Sequence, residues 1–201
     1  MFLFDSKKEK RFWKYFQKNE EKIYNFEKDQ GKIFDELSIE LHKIDNNLTF
    51  EFGSIRNNRR NFVISADGIK SAFISVEKLH KQTPKLKLFN VIKFRPRRKE
   101  LSNIEIANTK IKASEVKYIL LFKDENPNKV GILLLFKNYK DESRKLFIQV
   151  GFLFLDEALG EFNVITKVGG VDFTSFDSKY YSKSKPLNNL PKDFDNYFKN
   201  A

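Results

Sequence analysis

At Leu48 the apolar period of the chain changes from that of a helix to that of a strand, and this switch fixes the order in which its secondary structure can be laid down. Before it, Phe12, Phe16, Ile23 and Phe26, then Ile33, Phe34, Leu37, Leu41 and Ile44, recur at helical spacing, with Trp13 beside the first group. Ser6-Lys7-Lys8-Glu9 reads as a capping box, in which the Ser hydroxyl and the Glu carboxylate satisfy free backbone N–H groups. One helix over all of 6–46 would be unusually long for a globular domain. The pattern therefore predicts a helical pair, broken near Asp29-Gln30-Gly31 and ending at Asn46-Asn47. After the switch, Leu48, Phe50 and Phe52 alternate with Thr49 and Glu51, as a half-buried strand requires.

A second strand is expected at 61–65, joined to the first by the polar hairpin link 54–60. Asp67-Gly68 then opens a helix carrying Ile69, Ala72, Phe73, Val76 and Leu79, which stops before Pro84. In the third strand, strict alternation turns Leu86, Leu88, Ile92 and Phe94 one way and Lys85, Lys87, Phe89, Val91, Lys93 and Arg95 the other. The pattern recurs further on. Strands at 117–123 and 130–137 flank the turn Asp124-Glu125-Asn126-Pro127-Asn128, a helix runs over 142–159 to Gly160, and strands at 162–168 and 171–176 flank Gly169-Gly170. The two halves, 48–98 and 115–177, share the order strand, strand, helix, strand at an offset of roughly 70 residues, without residue identity. Duplication and independent arrival at this order both stay open.

The fold class that follows is mixed α+β: a mostly antiparallel sheet with the N-terminal helical pair packed on it, forming one domain over 1–177 with a polar tail over 178–201. The helix from Glu142 is apolar on two faces, Phe147, Val150, Gly151, Phe154 and Ala158 on one, and Ile148, Phe152, Leu155 and Leu159 on another. Such a helix is expected to be covered on nearly all sides, by the sheet and the N-terminal helices or by a second subunit, and the first uses elements already present.

The chain has no Cys, which excludes disulfide frameworks, thiolate-ligated metal sites and thiol catalysis together. The apolar start, residues 1–4, is broken at Asp5 and followed by Lys7 and Lys8, the wrong order and length for a secretory signal. No run approaches the ~20 apolar residues of a membrane span. No membrane and a cytoplasmic location are the expectations. Its 22 Phe bring apolar area without a polar handle, so most are expected in the core.

Charge is concentrated. Residues 78–99 hold nine basic side chains (Lys78, Lys81, Lys85, Lys87, Lys93, Arg95, Arg97, Arg98 and Lys99) and no acid, against a net charge of +11 for the whole chain. If the sheet has one wet face, Lys85, Lys87, Lys93 and Arg95 project from it with Phe89 among them and Arg97 and Arg98 at the strand exit; Arg59 and Arg60, with Arg56, add to the patch from the hairpin. Cations interleaved with a ring suit a single nucleic-acid strand, while cations alone equally suit an acidic protein surface. A plain solvated face that keeps strand edges from pairing explains them too.

Catalytic signals are weak. His42 and His80 stand in different helices with no second histidine at ligand spacing. Asp156, Glu157 and Glu161 gather at a helix C-terminus, where the dipole disfavours carboxylates; a divalent ion or a neighbouring Lys or Arg would relieve the misfit. No phosphate-binding glycine loop and no nucleophile elbow occurs. No cofactor, metal or catalytic residue is predicted. A non-enzymatic binding protein for an acidic protein partner is the leading expectation, with single-stranded nucleic acid and a carboxylate-based enzyme as the alternatives.

Phe12-Trp13-Lys14-Tyr15-Phe16 with Asn19-Glu20, Leu48-Thr49-Phe50-Glu51-Phe52-Gly53, Asn61-Phe62-Val63-Ile64-Ser65-Ala66-Asp67-Gly68, Phe94-Arg95-Pro96-Arg97 and Ala158-Leu159-Gly160-Glu161 resemble stretches of a family of uncharacterised bacterial proteins. The resemblance implies a shared fold and a bacterial origin. It carries over no activity.

Overall fold

The computed structural model describes residues 7–106, 109–121 and 128–200. The chain gathers into two compact units, Met1–Arg95 and Pro96–Ala201. Both are mixed α+β, and most strand pairs are antiparallel.

The first unit opens with α1 (Lys7–Lys18), α2 (Glu20–Tyr24), a 3-10 turn at Phe26–Lys28 and α3 (Gln30–His42). Ser6 of the expected capping box lies outside the described residues. The break at Asp29 is present, and two further breaks fall at Asn19 and Asn25. There the Asn side chains donate to the carbonyls of Tyr15 (2.9 Å) and Glu21 (2.8 Å) four residues back, competing with the helix for its own acceptors. β1 (Thr49–Arg56) and β2 (Arg59–Ser65) form an antiparallel hairpin. A 3-10 turn at Lys70–Ala72 leads into α4 (Phe73–Lys81), and β3 (Phe89–Lys93) returns parallel to β2, giving the order β1-β2-β3. Phe50, Phe52 and Phe62 share one sheet face and meet Phe12 and Phe16 of α1 and Phe26 and Phe34, as rings at centroid distances near 5 to 6 Å.

The second unit holds a two-stranded ribbon, β4 (Ile104–Ile106) with β5 (Thr109–Ile111), and a four-stranded sheet. The sheet is built from β6 (Val116–Leu121), β7 (Val130–Phe136), β8 (Val168–Ser175) and β9 (Lys185–Pro186) in the order β8-β7-β6-β9, with β8 parallel to β7. α5 (Arg144–Leu159), α6 (Glu161–Lys167) and α7 (Leu190–Asn200) complete it. Residues 122–127 of the expected turn after β6 lie outside the described residues.

Three expectations are corrected here. Residues 162–167 of the strand expected at 162–168 instead belong to α6. Val164, Ile165 and Thr166 disfavour a helix by propensity, but the segment buries Glu161 and Val164, and this packing overrides the local preference. Gly169-Gly170 is not a hairpin turn: it lies within β8, whose register against β7 slips by one residue at Gly169, and among the described glycines only Gly68 and Gly160 adopt positive φ. The 178–201 tail is a packed element, with Leu187, Leu190 and Phe194 buried in the same core as β6 and β7. The α5 reading is also revised. Leu155 and Leu159 are buried, but Phe152 and Leu153 are 42% and 41% exposed, so the second face is only partly covered.

The strand-strand-helix-strand order recurs with a register the sequence pattern only approximated. Arg59–Ser65 and Val130–Phe136, the 3-10 turns Lys70–Ala72 and Asp141–Ser143, and the helix starts Phe73 and Arg144 are all displaced by one constant step (59 to 130, 70 to 141, 73 to 144, each 71 residues). β1 and β2, like β6 and β7, are antiparallel, and β3 and β8 lie parallel to β2 and β7. Val76 and Leu79 of α4, both buried, correspond on this step to the buried Phe147 and Val150 of α5.

Candidate functional site

β3 decides where the expected basic face goes. Phe89 stands opposite Arg60, and Val91 opposite Phe62. Residues opposite each other share a face, so Phe89 points to the core side with Phe62. It is 1% exposed, and its ring lies 5.0 Å from Phe16 and 5.8 Å from Phe52. The outward placement of Phe89 is therefore wrong. Strict alternation fails because Lys85, Leu86, Lys87 and Leu88 precede the strand, and Leu88 is fixed separately, its N–H donating to Glu20 (2.7 Å) and its carbonyl accepting the Arg60 N–H (2.8 Å).

Arg60 shares the inner face and is also buried. Its guanidinium lies over the Phe26 ring (4.4 Å to the centroid) and pairs with Glu27 at 2.5 Å, which holds the Glu27 carboxyl below its usual range. Lys93, opposite Ile64 at the rim of that face, pairs with Glu77 of α4 at 2.7 Å. Phe94 then adopts φ 61°, a left-handed conformation costly for a side chain, and this breaks the alternation so that its ring packs on Phe73 (4.5 Å). Arg95 bonds Glu51 and, at 2.8 Å, Asp67. Burial works against its charge, but the two carboxylates outweigh it and the pKa is raised.

Arg97 and Arg98 belong to the second unit and close the C-terminus of α5. Arg97 Nε donates to the Leu159 carbonyl (2.9 Å) and its two terminal nitrogens grip Asp195 at 2.8 Å each, holding that carboxyl below its usual range. The Arg98 backbone N–H donates to the Glu157 carbonyl (2.8 Å), and its side chain pairs with the Glu157 carboxylate (3.1 Å). Glu157 also accepts the Ser102 N–H (2.7 Å). These cations supply the charge that the helix end and its carboxylates call for. Glu161 is fully buried at the start of α6. Among the described residues no group of three or more His, Cys, Asp or Glu is placed to hold a metal ion.

Of the nine basic-surface residues expected, the structure thus sends Phe89 and Arg60 inward and pairs Lys93, Arg95, Arg97 and Arg98 with carboxylates. Arg59, Lys85 and Lys87 stay together at the hairpin end of the first unit, joined there by Arg56. Asn57 and Asn58, at φ 51° and 58°, make the two-residue turn with both central residues left-handed, the geometry that matches strand twist and favours Asn. This turn sets Arg56 and Arg59 opposite each other. The Arg59 guanidinium donates to the carbonyl of Phe89 and, at 3.3 Å, to that of Leu86, which stands between Lys85 and Lys87 in the chain. Lys85, Lys87 and Arg56 are exposed, and none of the four has a carboxylate partner among the described residues. Arg56 is thus where the hairpin was expected to bring it, beside Arg59.

No protein-family model, curated protein or solved structure matches the chain.

Proposed function

We propose that this chain is a non-enzymatic binding protein that engages an acidic protein surface through the hairpin end of its first unit, with Arg56, Lys85 and Lys87 as the contacting cations and Arg59 as the residue that holds them together. The observation that supports this reading is the Arg59 guanidinium bonded to two backbone carbonyls rather than to an acid. It fixes the 85–89 segment against the hairpin and leaves four positive charges locally uncompensated. Charge of this kind steers association and selects partner sign more than it adds affinity. Nucleic acid is the lesser reading, because base stacking needs an accessible ring and Phe89 is in the core.

The test is fluorescence anisotropy with a labelled polyglutamate peptide and a labelled oligothymidylate, at low and moderate salt. The expected result is salt-sensitive binding of the peptide, weakened about tenfold or more in Lys85→Glu/Lys87→Glu, which is about 1.4 kcal/mol. No peptide binding at low salt, or equal binding by the folded double variant, overturns the reading. Tighter binding of the oligonucleotide replaces the acidic protein with nucleic acid.

A further inference from the structure

We infer that the second unit carries a binding site for a small phosphorylated organic molecule at the C-terminal end of β7. A cavity of about 160 Å³ opens there, where β7 hands over to the 3-10 turn and α5. Its apolar lining comes from Ile111, Phe136 and Phe147, all buried, with Leu146. Three exposed lysines, Lys110, Lys137 and Lys140, line it as well, and none has an ion pair among the described residues. Thr109, Asn138 and Ser143 add neutral polar groups, and Ser143, the N-cap of α5, makes no capping bond with its side chain.

Charge at this place favours an anion. Among the described residues of the lining Glu115 is the one carboxylate, and it is engaged, accepting the Lys112 N–H at 3.3 Å. Asp141 and Glu142 precede α5 but do not line the cavity. The 16-residue α5 begins here, so its dipole adds to the field of the lysines rather than making a site alone. Ligands of open sheets with crossover helices favour this end of the strands.

The first unit supplies an internal control. On the constant step between the two units, Lys137, Lys140 and Ser143 correspond to Ala66, Ile69 and Ala72, and both alanines are fully buried. The same strand, 3-10 turn and helix are thus built without a cation or a hydroxyl at these positions. The fold does not require the lysines of the second unit, so they are free to serve a ligand. Lysines bind phosphate as point charges, and three around one opening match a dianion better than a monoanion. The apolar lining and the volume leave room for a short carbon group beside it.

Isothermal titration with phenyl phosphate, inorganic phosphate, benzoate and phenol tests this. Phenyl phosphate is expected to bind at least about tenfold more tightly than each of the others, and its affinity is expected to fall about tenfold or more in Lys137→Gln/Lys140→Gln. Should the double variant fail to fold, Lys110→Gln and Lys140→Gln singly are each expected to weaken binding. The inference is overturned by no binding at about 10 mM phenyl phosphate, by unchanged affinity in the folded variants, by equal binding of inorganic phosphate, or by benzoate matching phenyl phosphate.

Discussion

The indole Nε1 of Trp13 donates a 2.8 Å hydrogen bond to the carbonyl oxygen of Leu79, fastening α1 to the last turn of α4 inside the first unit. The donor is buried, and the acceptor also takes the Gln82 N–H at 3.2 Å, so it would not be orphaned by loss of the indole. Trp13→Phe keeps a ring against Phe12 and Phe16 but removes the donor and the second ring of the indole. It is expected to cost about 1 to 3 kcal/mol. Trp13→Ala empties the site and should cost about 3 to 5 kcal/mol. Urea unfolding followed by circular dichroism measures both; equal losses would show that the ring kept in Trp13→Phe contributes nothing and that the N–H donor and the second ring carry the whole effect.

Gly151 sits where α5 touches β8. A Cβ built on it would stand 2.4 Å from Cε1 of Phe173, closer than any real contact, and 3.1 Å from Leu134. Gly151→Ala removes a helix-weakening glycine yet is expected to destabilise by about 1 to 3 kcal/mol, because the overlap outweighs the propensity gain. Adding Phe173→Leu should recover part of the loss. A more stable Gly151→Ala protein in urea would mean the helix can shift away from the sheet.

Tyr118 on β6 donates 2.6 Å to Asp193 of α7, which also pairs with Lys185 at 2.5 Å. Lys185, and then the Tyr118 hydroxyl, hold the Asp193 carboxyl below its usual range, while burial and this carboxylate push the Tyr118 hydroxyl up. A carboxylate with a depressed folded pKa contributes stability that is fully present above its unfolded value, about 3.9, and is lost as pH falls through the folded one. Asp193→Asn is therefore expected to be less stable than the parent at neutral pH, with the gap closing below about pH 4. Thermal melts across that range check it, and a gap independent of pH sinks the assignment.

The same core explains what the sequence could and could not reveal. The helix-to-strand switch at Leu48, the break at Asp29 and the stop at Gly160 were legible because each rests on local period or backbone preference. α6 was not, since Val164, Ile165 and Thr166 read as strand and the burial of Glu161 and Val164 that overrides them is a tertiary effect. α7 did carry a local signal, Leu190, Phe194, Tyr197 and Phe198 at helical spacing, but its Pro, Lys, Asp and Asn content read as a tail. Phe89 was misplaced because parity was counted from Leu86, before the strand begins. The ion pairs that occupy Lys93, Arg95, Arg97 and Arg98 join residues 16 to 98 positions apart, a separation no local pattern encodes.

That misplacement makes its own prediction. An outward Phe89 could be removed at little cost, whereas a buried ring in contact with Phe16 and Phe52 leaves a cavity. Phe89→Ala is expected to destabilise by about 3 to 5 kcal/mol, and Phe89→Leu by less, since Leu refills part of the space. Lys85→Ala and Lys87→Ala, a few residues earlier and exposed, should each stay within about 0.5 kcal/mol. Urea midpoints at constant m-value separate these outcomes.

Arg97 and Asp195 give the sharpest test of the basic segment as structure. Both terminal nitrogens of Arg97 meet the carboxylate at 2.8 Å while its Nε holds the Leu159 carbonyl, so one side chain ties α7 to the end of α5. The pair is about half open to solvent, which screens its Coulomb energy. In a double-mutant cycle with Arg97→Ala and Asp195→Asn the coupling is expected to be about 0.5 to 1 kcal/mol, while Arg97→Ala alone costs more, because the helix-end carbonyl also loses its donor. Arg97→Lys keeps the charge without the planar fork and should recover less than half of that loss. If Arg97→Ala is neutral, the arginine is not holding the helix end, and its charge is available for a partner after all.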